Sequence, residues 1–283
     1  MDKKKLKSKD PNDLTFLEHL EVLRGHLLRS LASIGVFAIV AFLLKDIIFD
    51  HILLAPKGAE FWTNRFFCQV GSFFNTDKLC LNSEDLELIN IELAGQFRIH
   101  LNIAFYGGMI LAAPYIFYEI YRFILPALKE RERKYSGGMV FYTSGLFMVG
   151  VLFGYFFIIP LTVNFLGGYS VSSQVENQIN LKSYIGTVTS LIFSTGLVFE
   201  LPIFVYFLSK VGLMTPAFMK KYRKHALVVI LVLAGIITPP DVFSQMLITI
   251  PMYLLYEVSI SISARIERQR EERDAREEAE ARM

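Results

Sequence analysis

Glu132 lies between Arg131, Arg133 and Lys134 in the segment 119–135, EIYRFILPALKERERKY, which holds five cationic residues and three carboxylates between two long apolar runs. A carboxylate at a membrane surface can receive a cationic ligand, and a guanidinium fits it bidentately. The alternative is a solvated glutamate that balances its basic neighbours. Glu200 sits deep in a second apolar run, STGLVFELPIF. A charge at bilayer depth costs about 2.5–3.5 kcal/mol, so such groups usually face a cavity or a partner. The simpler reading is a neutral, hydrogen-bonded glutamate easing a kink before Pro202. Gln245 and Glu257, in the last apolar run, read more simply as polar anchors near helix ends.

Other chemistries find little support. No Gly-Lys dipeptide occurs, which excludes a Walker A phosphate loop, and the five histidines form no HExxH pair. The Gly pairs at 107, 137 and 167 make no dinucleotide fingerprint, and helix packing accounts for them better. No enzyme activity, cofactor, metal or nucleic acid is expected. The two cysteines, Cys68 and Cys80, are too few for a disulfide scaffold. They could pair if their loop is extracytoplasmic, with 11 residues between them.

The elements that must position these residues are membrane spans. Hydrophobic residues make up 53 % of the 283, aromatics 14 %, and mean hydropathy is +0.41, values that belong to a membrane protein. Six apolar stretches read as helices, at 27–44, 99–118, 139–166, 184–209, 226–238 and 242–262. Pro114, Pro160, Pro202 and Pro251 fall inside them and imply kinks. The polar start, MDKKKLKSKDPND, is followed by no short apolar region with a cleavage site, so the first span is expected to stay. Of the 29 Lys and Arg, 23 fall on one side of this six-span arrangement and 6 on the other. Basic residues mark the cytoplasmic side, which places both termini there. The fifth stretch is short for a hydrocarbon core of roughly 30 Å. Either the bilayer adapts to it, or Lys224 and His225 snorkel and lengthen it.

The expected organisation is a cytoplasmic segment 1–26, a membrane domain 27–262 and a charged cytoplasmic tail 263–283. The connection 45–98 is expected to form a small extracytoplasmic cap with short interfacial helices, its amphipathic stretches at 61–67 and 86–91. Loops 119–138 and 210–225 are read as cytoplasmic. The tail alternates charge with almost nothing apolar, as a solvated helix or a disordered segment does.

Four strings in order, HLEVLR (19–24), FILPALKERER (123–133), FELP (199–202) and TPPDVFSQ (238–245), resemble the TatC family, the multispanning core of the twin-arginine protein translocase. The resemblance covers nearly the whole chain. It implies an all-α fold of six kinked transmembrane helices in a cupped, concave arrangement. It also implies a bacterial inner-membrane receptor for twin-arginine signal peptides of folded precursors, driven by the proton gradient. Its partners would be TatA- and TatB-type single-span proteins, the lipid bilayer and further copies of itself. On this resemblance the signal-binding residues are Glu132, Glu18, Glu21, Arg24, Phe123, Arg131 and Arg133. Glu200 is the intramembrane acid, and Pro56, Pro126, Pro202, Asp241 and Gln245 are structural or partner-contact positions. The family's amino-terminal string is HLxELRxR, so its glutamate falls on Val22 and its second arginine on His26. Glu18, four residues earlier on the same helix face, and Glu21, adjacent but rotated by about 100°, are the two substitutes. Thr15 and Glu18 also have capping-box spacing, which would give Glu18 a structural role. A proton- or ion-coupled small-solute transporter using Glu200 is the alternative class, and a passive membrane scaffold the third.

Overall fold

The computed structural model describes residues 16–58, 60–73, 87–125, 138–172, 174, 177–238 and 242–282. It divides into two compact units, one of residues 1–51 and 92–145 and the other of 52–91 and 146–283. Among the described residues five helical segments are long and apolar enough to cross a membrane, and the chain is a multi-pass, all-α membrane protein.

The first unit is built on α1 (Phe16–Leu43) and α3 (Gly95–Ile124), packed antiparallel. Lipid tails offer no hydrophobic drive for helices to associate, so small residues must let the backbones approach. Here Ala38 meets Gly108: a Cβ on Gly108 would lie 2.7 Å from the Ala38 backbone. Ala41, Ala104, Ala112 and Ala113 are buried along the same seam. At one end His100 Nε2 bonds the Phe42 carbonyl (2.9 Å) and its ring stacks on Phe42.

The second unit takes up α4 (Met139–Phe153) from Leu146 onward, and continues it through a π-helical turn (Gly154–Ile158) into α5 (Ile159–Gly168). The next span is α6 (Leu181–Val198) and α7 (Leu201–Lys210), broken at Phe199–Glu200 just before Pro202. Glycine and phenylalanine interlock the two: Gly150 lies under Phe199, and Gly196 under the Phe147 ring. Then come α8 (Pro216–Lys221), α9 (Arg223–Ile237) and α10 (Val242–Ala281). Helix α9 begins three residues before the apolar stretch read from the sequence. It still has only 15 residues, about 22 Å, short of a core of roughly 30 Å. Helix α10 has 40 residues, about 60 Å, so its charged third projects well beyond any bilayer. Between the two readings of the tail the structure gives the helix, with Arg268 donating to Glu272 across one turn (2.9 Å).

Residues 52–91 are fastened to the spans of their own unit through carbonyls that prolines leave without a donor. Pro160 has no N–H for the Phe156 carbonyl four residues back, and Thr63 Oγ1 donates there instead. Pro56 does the same to Ile52, whose carbonyl accepts from Tyr155 OH at 2.9 Å, and Tyr184 OH donates to Leu53 at 3.0 Å. Helix α2 (Trp62–Phe73), which covers most of the amphipathic stretch at 61–67, carries Thr63. It rests on aromatic contacts from Trp62 to Phe156 and Phe157. The stretch at 86–91 is not a short helix. Leu88–Ile89 (β1) pairs in parallel with Ile179–Asn180 (β2), the partner supplying the hydrogen bonds that an isolated short helix lacks in water. Replacing Thr63, fully buried, with Val leaves the Phe156 carbonyl without its side-chain donor. We expect a loss of about 1–3 kcal/mol, read as a lower unfolding midpoint in detergent; an unchanged midpoint would remove this tether from the account.

Candidate functional site

The amino-terminal third of α1 and the carboxy-terminal third of α3 meet at one end of the first unit. Between Leu20 and Arg29 no side chain is fully buried; Glu21 and Arg24 are exposed and Val22 is half-buried. Opposite them, Glu119 is 1 % exposed. An ionised carboxylate removed from water needs charge and hydrogen-bond partners. Glu119 has three. Its Oε2 lies 2.5 Å from His26 Nδ1 and accepts from Arg29 Nη1 at 3.2 Å, and its Oε1 accepts from Tyr115 OH at 2.9 Å. One turn further on, Phe123 meets the His26 ring edge-on, with centroids 6.0 Å apart.

This arrangement gathers Phe123, Glu21 and Arg24 at the end of the hairpin from which the chain runs on toward Glu132. Glu132, Arg131, Arg133, Pro126, Asp241 and Cys80 lie outside the described residues. So do Thr15, with the capping box it would form, and the side chain of Glu18, which is in the first turn of α1. Glu21 is therefore the amino-terminal acid whose exposure is on view.

Glu119 itself was missed by reasoning from the sequence, which grouped it with the loop charges. A signal was available. Glu119 is the only carboxylate between Glu92 and Glu130, and His26 and Arg29 are the last ionisable residues before an uncharged run to Lys45. Opposite charges at matching ends of two apolar runs suggest a pair.

The remaining polar positions belong to the second unit. Glu200 follows the break between α6 and α7, and its Oε1 is buried without a hydrogen-bond partner. Gln245 Nε2 donates to the Leu231 carbonyl of α9 at 2.8 Å, and Glu257 accepts from Arg223 at 2.7 Å. Both bind neighbouring elements, as anchors do. Pro56 is buried, and Pro202 opens α7 in its first turn. Cys68, on α2, is disulfide-bonded. Among the described residues no group of three or more His, Cys, Asp or Glu could hold a metal ion.

A polytopic helical membrane protein with an acid-bearing helical hairpin is the class that these features define. The model of the family described as Sec-independent protein translocase protein (TatC) matches residues 18–251. A TatC protein from Blattabacterium sp. subsp. Periplaneta americana is 42 % identical over 256 residues, covering 90 % of this chain and 96 % of its own. The TatCy protein of Bacillus subtilis is 30 % identical, covering 89 % of each. A crystal structure of the twin arginine translocase receptor TatC superposes with a TM-score of 0.71 at 32 % identity, covering 88 % of this chain and 99 % of the solved one. This chain belongs to the TatC family of Sec-independent protein translocase components.

Proposed function

We propose that this chain is the receptor and core subunit of a twin-arginine translocase, binding the signal peptides of folded precursors for export driven by the proton gradient. The observation that carries the reading is the exposed Glu21 at the end of the α1–α3 hairpin, where α3 leads into the segment that bears Glu132. An acid on α1 and a second in the segment that follows α3 in the sequence suit a pair of guanidinium groups. Glu132 is the principal acceptor, aided by Glu21 or Glu18. Phe123 offers an aromatic face beside the site, and Arg24, Arg131 and Arg133 keep the surface cationic enough that only a strongly held cation competes for the acids.

In this reading the site faces the cytoplasm, with both termini, as the 23-to-6 division of Lys and Arg supports. The membrane is the bacterial inner membrane. The apolar part of the signal enters the bilayer, and Glu200 is the intramembrane acid, its unsatisfied Oε1 suiting a polar partner. Single-span TatA- and TatB-type proteins, and further copies of this chain, are the membrane partners. Asp241, Gln245 and Pro56 stand near their docking positions. A photoreactive residue at position 132 tests the core of the proposal. It should capture a twin-arginine signal peptide and fail to capture the twin-lysine version; equal capture of both sinks the reading.

The cap segment 45–98 is proposed to lie outside the cytoplasm, which fits a disulfide on Cys68. The only other cysteine is Cys80. Mass spectrometry of the unreduced protein should find the peptides of Cys68 and Cys80 joined, and reduction should lower stability by about 3 kcal/mol. Two free thiols in protein from the native membrane would refute the pairing.

A further inference from the structure

The amino-terminal third of α1 has an unusual attachment. Leu20, Leu23, Leu27 and Leu28 are 40–57 % exposed, and the small-residue seam with α3 runs through Ala38 and Ala41, three to four turns away. No apolar side chain between residues 20 and 29 is fully buried. Beside the half-buried Val22 and Gly25, the stretch is tied to α3 by two polar contacts: His26 and Arg29 both reach the Oε2 atom of Glu119. Tyr115, one turn before Glu119, holds Oε1 and so fixes the carboxylate's rotation. Phe123, one turn after, packs on the His26 ring. Tyr115, Glu119 and Phe123 thus form one stripe at four-residue spacing, and the stripe meets α1 at two points on one helical turn.

We propose that Glu119 is a positioning residue for signal recognition: its contacts to His26 and Arg29 clamp the start of α1 to the end of α3 and so set where Glu21 stands against that end of α3. This rests on the signal-binding reading given above. A bidentate or paired-arginine ligand discriminates by geometry as much as by charge, so an acid on α1 contributes to recognition only if the helix that carries it is held in place. Without the clamp, the turns of α1 before Ser30 lose their charged attachment to α3 and are left with the partial burial of Val22 and Gly25, so their position against α3 loosens.

The test uses the full chain in lipid nanodiscs, with spin labels at Leu23→Cys and Arg122→Cys, both exposed positions. The same protein is titrated with twin-arginine and twin-lysine signal peptides. Glu119→Leu should broaden the label-to-label distance distribution and weaken twin-arginine binding about ten-fold or more, bringing the two peptides close together in affinity. Glu119→Gln keeps a single acceptor oxygen, enough for Tyr115 or for Arg29 but not for both on opposite sides, and should recover part of the discrimination. If Glu119→Leu does not accumulate as folded protein, His26→Leu combined with Arg29→Leu removes the same contacts from the exposed side of α1 and carries the same expectation. A narrow distance distribution together with unchanged discrimination in either variant overturns the proposal. The signal-binding reading fails differently: the wild-type protein would not distinguish the peptides, or Glu132→Ala would bind them as well as wild type, whatever the label distances.

Discussion

Glu132→Ala should reduce binding of a twin-arginine signal peptide by about 10- to 150-fold, the loss that follows from removing a charge-assisted interaction of about 1.5–3 kcal/mol. Several cations surround position 132, and removing its carboxylate leaves them to repel the incoming guanidiniums, so the effect should lie toward the upper end. Glu132→Gln keeps an acceptor without the charge and should fall between. Glu21→Ala and Glu18→Ala separate the amino-terminal contributions. With Val22 at the position where the resemblance to HLxELRxR implies a glutamate, Glu132 is expected to bear a larger share of recognition, and each amino-terminal substitution should weaken binding less than Glu132→Ala does. Binding by fluorescence anisotropy in nanodiscs at low and high salt reads both. An unaltered affinity in Glu132→Ala would remove the loop acid from the site.

The second large effect is on stability, and it is asymmetric. A methyl group added at Gly150 meets Phe199 Cβ at 2.7 Å and the Thr195 carbonyl at 2.8 Å. Neither can retreat, since both belong to the frame of the neighbouring span. At Gly196 the obstacles are side chains, Phe147 Cε2 at 2.8 Å and Val151 Cγ2 at 2.9 Å. Both Gly150→Ala and Gly196→Ala should therefore destabilise, by about 1–3 kcal/mol or more. The double variants should part company. Trimming Phe147 to Leu relieves Gly196→Ala, with a coupling energy of about 1 kcal/mol in a double-mutant cycle. Phe199→Leu keeps its Cβ and leaves the Thr195 carbonyl in place, so it does nothing for Gly150→Ala. Equal coupling in the two cycles would mean that the two contacts are not as described.

The spans were legible because hydropathy is a local property, and the break at Phe199–Glu200 was signalled by Pro202 two residues on. Leu88–Ile89 was misread because its pairing partner lies about 90 residues along the chain and two residues carry no period of their own. At the site, residue types alone picked out Glu132 and Glu200, and the resemblance added Glu21 and Phe123. Glu119 escaped because what makes it unusual is burial against α1, a contact between residues 90 or more positions apart. The carbonyls left open by Pro56 and Pro160 could be foreseen as vacancies. That Tyr155 and Thr63 would fill them could not, since the donors are set by how distant segments pack.

Helix α10 is held at three heights, Gln245 to Leu231, Tyr256 OH to the Met219 carbonyl and Ser263 to Ser209, and further along Arg270 lies beside Gly212. From Gln245 to Arg270 is about 38 Å of continuous helix. A rod pinned along its length acts as a strut. Pro251 removes one hydrogen bond within that length, so the pins on either side of it, at Gln245 and Tyr256, are what keep the two halves of the rod in line.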